Sequence, residues 1–134
     1  MFTIVIGKDF VGKKSFIAQH LKLRYSEHNI FTLDTNGKLT DILEQEGLRV
    51  TKNLKEANII VSDNNIHTLT DTELADKDQV FFILSGENIN KDMVNKAEQV
   101  ILFPVQNCEK VSEVLDIPVE YLRGLKHYEP ITVI

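Results

Sequence analysis

The stretch that decides the fold joins the first apolar run to the first helical segment and reads Phe2-Thr3-Ile4-Val5-Ile6-Gly7-Lys8-Asp9-Phe10-Val11-Gly12-Lys13-Lys14-Ser15. Its first five residues form an apolar, β-branched run that is typical of a buried strand. The residues that follow satisfy G-x-x-x-x-G-K, the phosphate-loop pattern, between a strand and a helix. Gly12 would let the chain turn tightly, so that backbone N–H groups and the positive end of the next helix face one anion. Lys13 would place its ammonium on the outer phosphates.

The pattern departs from its usual form directly after Lys13. A Ser or Thr at this position would hold Mg²⁺, but Lys14 stands there and Ser15 follows one residue later. One residue is about 100° of helix rotation, so Ser15 does not simply replace the missing hydroxyl. Two interpretations of Lys14 stay open: it puts a cation where the metal would sit, or it is a solvated lysine. For the whole segment, a strand–turn–helix junction whose lysines serve only solubility also stays open.

Further apolar runs follow the first along the whole chain. Continuous apolar runs, rather than alternating ones, are typical of a parallel sheet covered by helices on both sides. The predicted strands span residues 2–6, 30–33, 59–61, 80–84 and 100–105. Pro104 lies in the last of these runs, which favours a strand that is short or at an edge.

Segments with helical spacing separate the predicted strands. The predicted helices span residues 13–28, 41–47, 70–75, 91–99, 109–115 and 119–125. Strands that alternate with helices indicate an α/β fold: a single doubly wound, mostly parallel sheet with helices on both faces. In such sheets ligands bind at the carboxyl ends of the strands, where the strand order reverses. His20 falls in the apolar stripe of the first helix and is interpreted as a core or boundary residue.

Length and composition limit the classes of function. The 134 residues suit one domain, predicted to span residues 1–134, with 15 Lys+Arg against 20 Asp+Glu and a net charge of -5. This acidic balance argues against nonspecific nucleic-acid binding. The single cysteine, Cys108, excludes an intramolecular disulfide and a Cys-rich zinc site. With no signal peptide and no run near the ~18 apolar residues of a membrane span, we expect a cytoplasmic protein without a membrane partner.

Three segments, in order along the chain, resemble the ParA/MinD family of ATPases. Gly7-Lys8-x-x-x-Gly12-Lys13 is similar to that family's deviant phosphate loop, usually G-K-G-G-x-G-K-T-T. Leu33-Asp34-Thr35-Asn36-Gly37-Lys38-Leu39-Thr40 is similar to its switch segment, D-P-Q-G-N-L-T, with Thr32 where an earlier acid stands. Asn58-Ile59-Ile60-Val61-Ser62-Asp63 resembles its Walker B strand. The chain thus resembles a short, reduced P-loop NTPase-like domain.

The resemblance implies a role for each matching residue. Lys8 would reach across a nucleotide-sandwich homodimer to the partner's phosphates, Asp34 would position the attacking water, and Asp63 would contact the magnesium shell. ATP or ADP is the implied nucleotide, with Mg²⁺ as the implied metal. The residues implied to hold the nucleotide are Gly7, Lys8, Gly12, Lys13, Lys14 and Ser15. Asp9 and Phe10 depart from the family, because they replace two glycines that let the loop approach phosphate closely.

The sequence leaves two functions open. The first is a nucleotide-binding domain that acts as a dimerising positioning or assembly switch, with weak or no ATP hydrolysis. The second is a pseudo-ATPase, a protein-interaction module that no longer binds nucleotide and in which Phe10 anchors a protein partner. A receiver-like regulator without a ligand ranks last, because the paired acids that such a domain needs after its first strand are missing. Whether the chain is an enzyme therefore stays open.

Overall fold

One sheet organises the molecule, as seen in a computed structural model that describes residues 2–9, 11–34, 36–63 and 70–133. In this part of the chain the sheet has seven strands: β1 (Phe2–Ile6), β2 (Asn29–Leu33), β3 (Arg49–Thr51), β4 (Ile59–Asp63), β5 (Gln79–Leu84), β6 (Gln99–Leu102) and β7 (Ile131–Thr132). Their order is β3-β2-β4-β5-β1-β6-β7. All neighbouring strands are parallel except β6 and β7, which are antiparallel. The predicted mostly parallel sheet is confirmed.

Helices connect the strands. They are α1 (Lys13–Arg24), α2 (Lys38–Gln45), α3 (Asp71–Ala75), α4 (Lys91–Lys96), α5 (Cys108–Leu115) and α6 (Val119–Arg123). Each corresponds to a predicted helix, and the differences lie at the ends. The prediction carried the first helix to residue 28, but α1 ends at Arg24. The fourth was carried to residue 99, but Gln99 already pairs with Thr3 of β1.

The core lies on both faces of the sheet, as predicted. Val5 of β1 packs in a buried cluster with Ile17 of α1 and Leu39 of α2. Ile4, its neighbour in β1, belongs instead to a cluster with Val111 of α5. Because side chains alternate between the faces of a strand, successive residues of β1 serve two helical layers. Both layers need apolar residues, which explains the continuous apolar run of β1.

The last predicted strand, residues 100–105, is shorter in the structure. β6 ends at Leu102, two residues before Pro104, whose nitrogen has no hydrogen to donate to a neighbouring strand. Of the two options that Pro104 favoured, the short strand is therefore correct. β6 is not an edge strand, because β7 pairs with it through Leu102 and Ile131.

The sheet order places one loop at a switch point. From β1 the chain passes over β5 and β4 to reach β2, whereas from β5 it crosses β1 to reach β6. Connections therefore leave this centre in opposite directions, and the carboxyl end of β1 is the place where sheets of this kind bind ligands. Residues 7–15, called the phosphate loop below, begin at this point. Within the described residues, no helix is long and apolar enough to span a membrane.

Candidate functional site

The phosphate loop starts between the ends of two neighbouring strands. The Gly7 N–H donates to Leu84 O of β5 at 3.0 Å, and the Lys8 N–H donates to Pro104 O, just beyond β6, at 2.9 Å. A Cβ on Gly7 would lie 2.8 Å from Phe103 Cβ, a distance that real Cβ contacts essentially never show. Glycine at this position lets the loop lie directly on the core.

The loop makes a left-handed turn at Gly12. Its φ of 97° and ψ of 15° fall in a region that favours glycine, and α1 begins at the next residue. In the described part of the chain, no side chain caps the N-terminus of α1, and its first turn carries no acid. Since the first amides of a helix lack partners within the helix, this end presents N–H donors and a positive dipole to an anion.

The Lys13 side chain folds back to the first residue of the loop. Its Nζ donates to Gly7 O at 2.5 Å and lies 3.5 Å from Leu84 O, and its side chain is buried. Burial lowers the pKa of the Lys13 ammonium, Asp9 and Asp63 act to raise it, and Lys14 lowers it further. The structure thus holds the desolvated ammonium of Lys13 beside Gly7. Lys13 is the residue that the sequence predicts to contact the phosphates.

Lys14 forms an ion pair with an acid at the end of another strand. Its Nζ lies 3.2 Å from Asp63 Oδ2, at the carboxyl end of β4. The side chains are 26% and 15% exposed, respectively, so this ion pair is largely shielded from water. β5 lies between β1 and β4 in the sheet, so this ion pair connects the start of α1 to the end of a strand two places from β1.

The donor set beside the loop does not fit Mg²⁺ well. Mg²⁺ takes oxygen ligands in near-octahedral geometry, and an ammonium has no lone pair to offer it. Here the ammonium of Lys14 lies against the Asp63 carboxylate, where the pattern puts a hydroxyl and an acid around the metal. Ser15 is exposed, one residue farther along α1. Among the described residues, no three His, Cys, Asp or Glu side chains come together as a metal cluster.

Asp34 contacts the helix that follows it. Its Oδ2 accepts hydrogen bonds from the backbone N–H groups of Leu39 at 2.7 Å and Thr40 at 3.1 Å, in the first turn of α2. Thr32, one of the switch-segment residues, shares a 2.8 Å hydrogen bond with the Thr40 hydroxyl. β2 lies three strands from β1, about 14 Å away, so its end is farther from the phosphate loop than that of β4.

A residue that sequence reasoning missed lies against the loop. The Tyr128 N–H donates to Val11 O at 3.1 Å, and a Cβ on Gly12 would lie 2.5 Å from Tyr128 Cδ1. Tyr128 has a φ of 61°, an uncommon conformation for an aromatic residue, and its side chain is 70% exposed. No local pattern signals this contact, because 116 positions separate Tyr128 from Gly12 and no motif includes it.

The structure thus brings together part of the predicted site. Lys13, directly after Gly12, contacts Gly7, and Lys14 contacts Asp63. Lys8 is half-buried and Ser15 is exposed. Phe10, the proposed partner anchor, lies outside the described residues, as does Thr35 of the switch segment.

Comparisons with known proteins bear on the fold. No protein-family model matches this chain, and neither does any curated protein. Among solved structures, the chain is similar to the genome packaging NTPase B204 from Sulfolobus turreted icosahedral virus 2. The complex of B204 with AMP aligns at a TM-score of 0.62 and 16% identity, covering 98% of this chain and 90% of that chain. The complex with AMPPCP aligns at a TM-score of 0.64 and 13% identity, with the same coverage.

This similarity extends over nearly the whole chain. The protein has a P-loop NTPase-like fold. The switch-point loop described above follows β1 of this sheet and carries the G-x-x-x-x-G-K pattern. At this level of identity the likeness shows the fold alone. It does not show membership of the ParA/MinD family, which the sequence motifs resemble.

Proposed function

We propose that this chain binds a nucleotide by its phosphates at residues 7–15, with weak or no hydrolysis. One observation carries the proposal: Gly12 turns left-handed at the uncapped start of α1 while Lys13 lies buried in the same loop. Backbone donors, a helix dipole and a desolvated ammonium there converge on one place, as an anion site requires. The complexes of B204 with AMP and AMPPCP support the choice of a nucleotide as the anion.

Weak or no hydrolysis is supported by the contacts of the two acids in the resemblance. Asp63, implied for the magnesium shell, pairs with Lys14. Asp34, implied for positioning water, accepts two amide hydrogen bonds from α2. Phosphoryl transfer relies on a positioned nucleophile and on charge neutralisation at the phosphates. A carboxylate paired with an ammonium attracts a metal ion less strongly, and one whose Oδ2 accepts helix amides is held toward the helix, so we favour binding without efficient turnover.

A ParA/MinD-like dimeric switch is the finer form of this proposal. It relies on Lys8, the second residue of the loop. The Lys8 N–H donates a hydrogen bond to the Pro104 carbonyl, and the residue is partly exposed. In this form of the proposal, the Lys8 side chain contacts a phosphate held between two copies of the chain. The pseudo-ATPase alternative predicts instead that the loop binds no nucleotide.

Calorimetric titration with ATP and ADP tests the proposal. We expect saturable binding by the wild type and at least a tenfold loss of affinity in Lys13→Ala, because the substitution removes the ammonium inside the loop. Lys38→Ala is the matched control, since Lys38 is an exposed lysine at the start of α2. No binding by the wild type, or equal binding by Lys13→Ala, would reject the proposal and favour the pseudo-ATPase.

A further inference from the structure

The ion pair between Lys14 and Asp63 occupies the two positions from which the P-loop pattern holds magnesium. In that pattern the residue after the loop lysine supplies a hydroxyl to Mg²⁺, and an acid on a nearby strand end contacts the metal from the other side. Lys14 stands at the first position, and the Walker B resemblance puts Asp63 at the second. The two side chains meet at 3.2 Å.

An ammonium at this place supplies positive charge, as the metal would, but it does not coordinate ligands as the metal would. It carries positive charge and three N–H donors but no lone pair, so it neutralises phosphate oxygens without ligating a cation. One donor faces Asp63 Oδ2, which leaves two directions for phosphate oxygens. A divalent cation beside Asp63 would have to displace Lys14 and would meet its charge at close range.

We propose that Lys14 stands in for the magnesium ion, so that the phosphate loop binds nucleotide phosphates without a divalent cation. This inference rests on the proposed nucleotide binding and specifies that the nucleotide binds without Mg²⁺. Lys8, Lys13 and Lys14 give the loop three positive charges against Asp9 and Asp63 nearby. The chain thus supplies its own counter-charge to the phosphates, and the preferred ligand is free ATP rather than its magnesium complex.

Titration of the wild type with ATP in two buffers, one with EDTA and one with excess Mg²⁺, tests this inference. We expect equal or tighter binding in EDTA, because Mg²⁺ lowers the charge of ATP and is repelled by Lys14. In Lys14→Thr, which restores a hydroxyl and frees the Asp63 carboxylate from this partner, we expect Mg²⁺ to strengthen binding at least tenfold. Lys22→Thr, an exposed lysine of α1, is the control and should respond to Mg²⁺ as the wild type does.

The outcomes separate this inference from the proposed function. Wild-type binding that strengthens tenfold or more with Mg²⁺ overturns the inference and leaves nucleotide binding intact. No binding in either buffer rejects the proposed function, and the inference with it. Should Lys14→Thr not fold, the wild-type comparison still decides. Lys14→Arg, which keeps the cation, then serves as the second variant and is expected to bind in EDTA; a requirement for Mg²⁺ in that variant counts against the inference.

Discussion

Gly12 meets two separate constraints at the start of α1. Its backbone is left-handed, which costs a residue with a side chain about 1–2 kcal/mol, and a Cβ would overlap the Tyr128 ring. We therefore expect Gly12→Ala to lower the free energy of unfolding in urea by more than the backbone cost alone. Gly37→Ala is the matched control, because Gly37 has a φ of 74° and a Cβ added there would have nothing within 4 Å. Equal losses in the two variants would contradict the Tyr128 contact.

Asp34 is expected to stabilise α2 whether or not it also acts on water. Replacing a side chain that accepts hydrogen bonds from the first turn of a helix costs about 0.5–2 kcal/mol. We predict that Asp34→Ala lowers the free energy of unfolding by about 1 kcal/mol, measured without nucleotide. Glu44→Ala, at an exposed position of the same helix, should change it little. An unchanged stability in Asp34→Ala would show that the capping contacts contribute nothing.

Helix α1 carries a histidine, His20, from which we expect the free energy of unfolding of the protein to depend on pH. His20 packs between the rings of Phe16, Tyr25 and Phe81, which confirms its interpretation as a core or boundary residue. Burial lowers the pKa of His20 and the charge of Arg24 lowers it further. Between that lowered pKa and about 6.5, the unfolded chain binds a proton that the folded chain does not.

Acidification through this range therefore favours unfolding. We expect the free energy of unfolding to fall as the pH drops below about 6.5 and the contribution of His20 to level off below its folded pKa. His20→Gln should reduce this slope, whereas His127→Gln, at an exposed position, should keep it. Urea titrations at several pH values measure the difference, and equal slopes in the wild type and His20→Gln would contradict the assignment.

The elements differ in how far the sequence predicts them. Runs such as 2–6 and 80–84 are buried on both faces, so their composition alone identifies a strand. β3 and β7 are three and two residues long and half-exposed, and neither leaves a pattern that distinguishes it from a loop. Their strand conformation depends on pairing with β2 and β6, which is a tertiary effect.

The candidate site also has residues that the sequence predicts and contacts that it does not predict. Gly7, Gly12 and Lys13 follow from a local motif that fixes both residue type and spacing. The contact of Lys14 with Asp63 depends on the strand order, which brings positions 14 and 63 within reach across β5. Tyr128 reaches Gly12 only because the chain returns past the loop after α6. Local patterns carry no information about either long-range contact.

For the whole molecule, the dimeric switch predicts a change in mass on nucleotide binding. We expect light scattering after size exclusion to give twice the mass of one chain when ATP is present. Lys8→Ala should remain at the mass of one chain while still binding ATP, because it loses only the contact to the partner's phosphates. Lys38→Ala should behave as the wild type does. A wild-type mass that ATP does not change would exclude the nucleotide-dependent dimer and leave phosphate binding by one chain untouched.

Phosphate binding at residues 7–15 is the claim on which the account depends. The chain has a net charge of -5, yet three lysines of this loop lie beside the uncapped start of its longest described helix. The most direct measurement is to follow the backbone amide resonances of the ¹⁵N-labelled protein by NMR during titration with ATP. We predict that the largest, saturable shifts occur at Gly12, Lys13 and Lys14. Saturable shifts confined to another surface, or no shifts at millimolar ATP, would contradict the account.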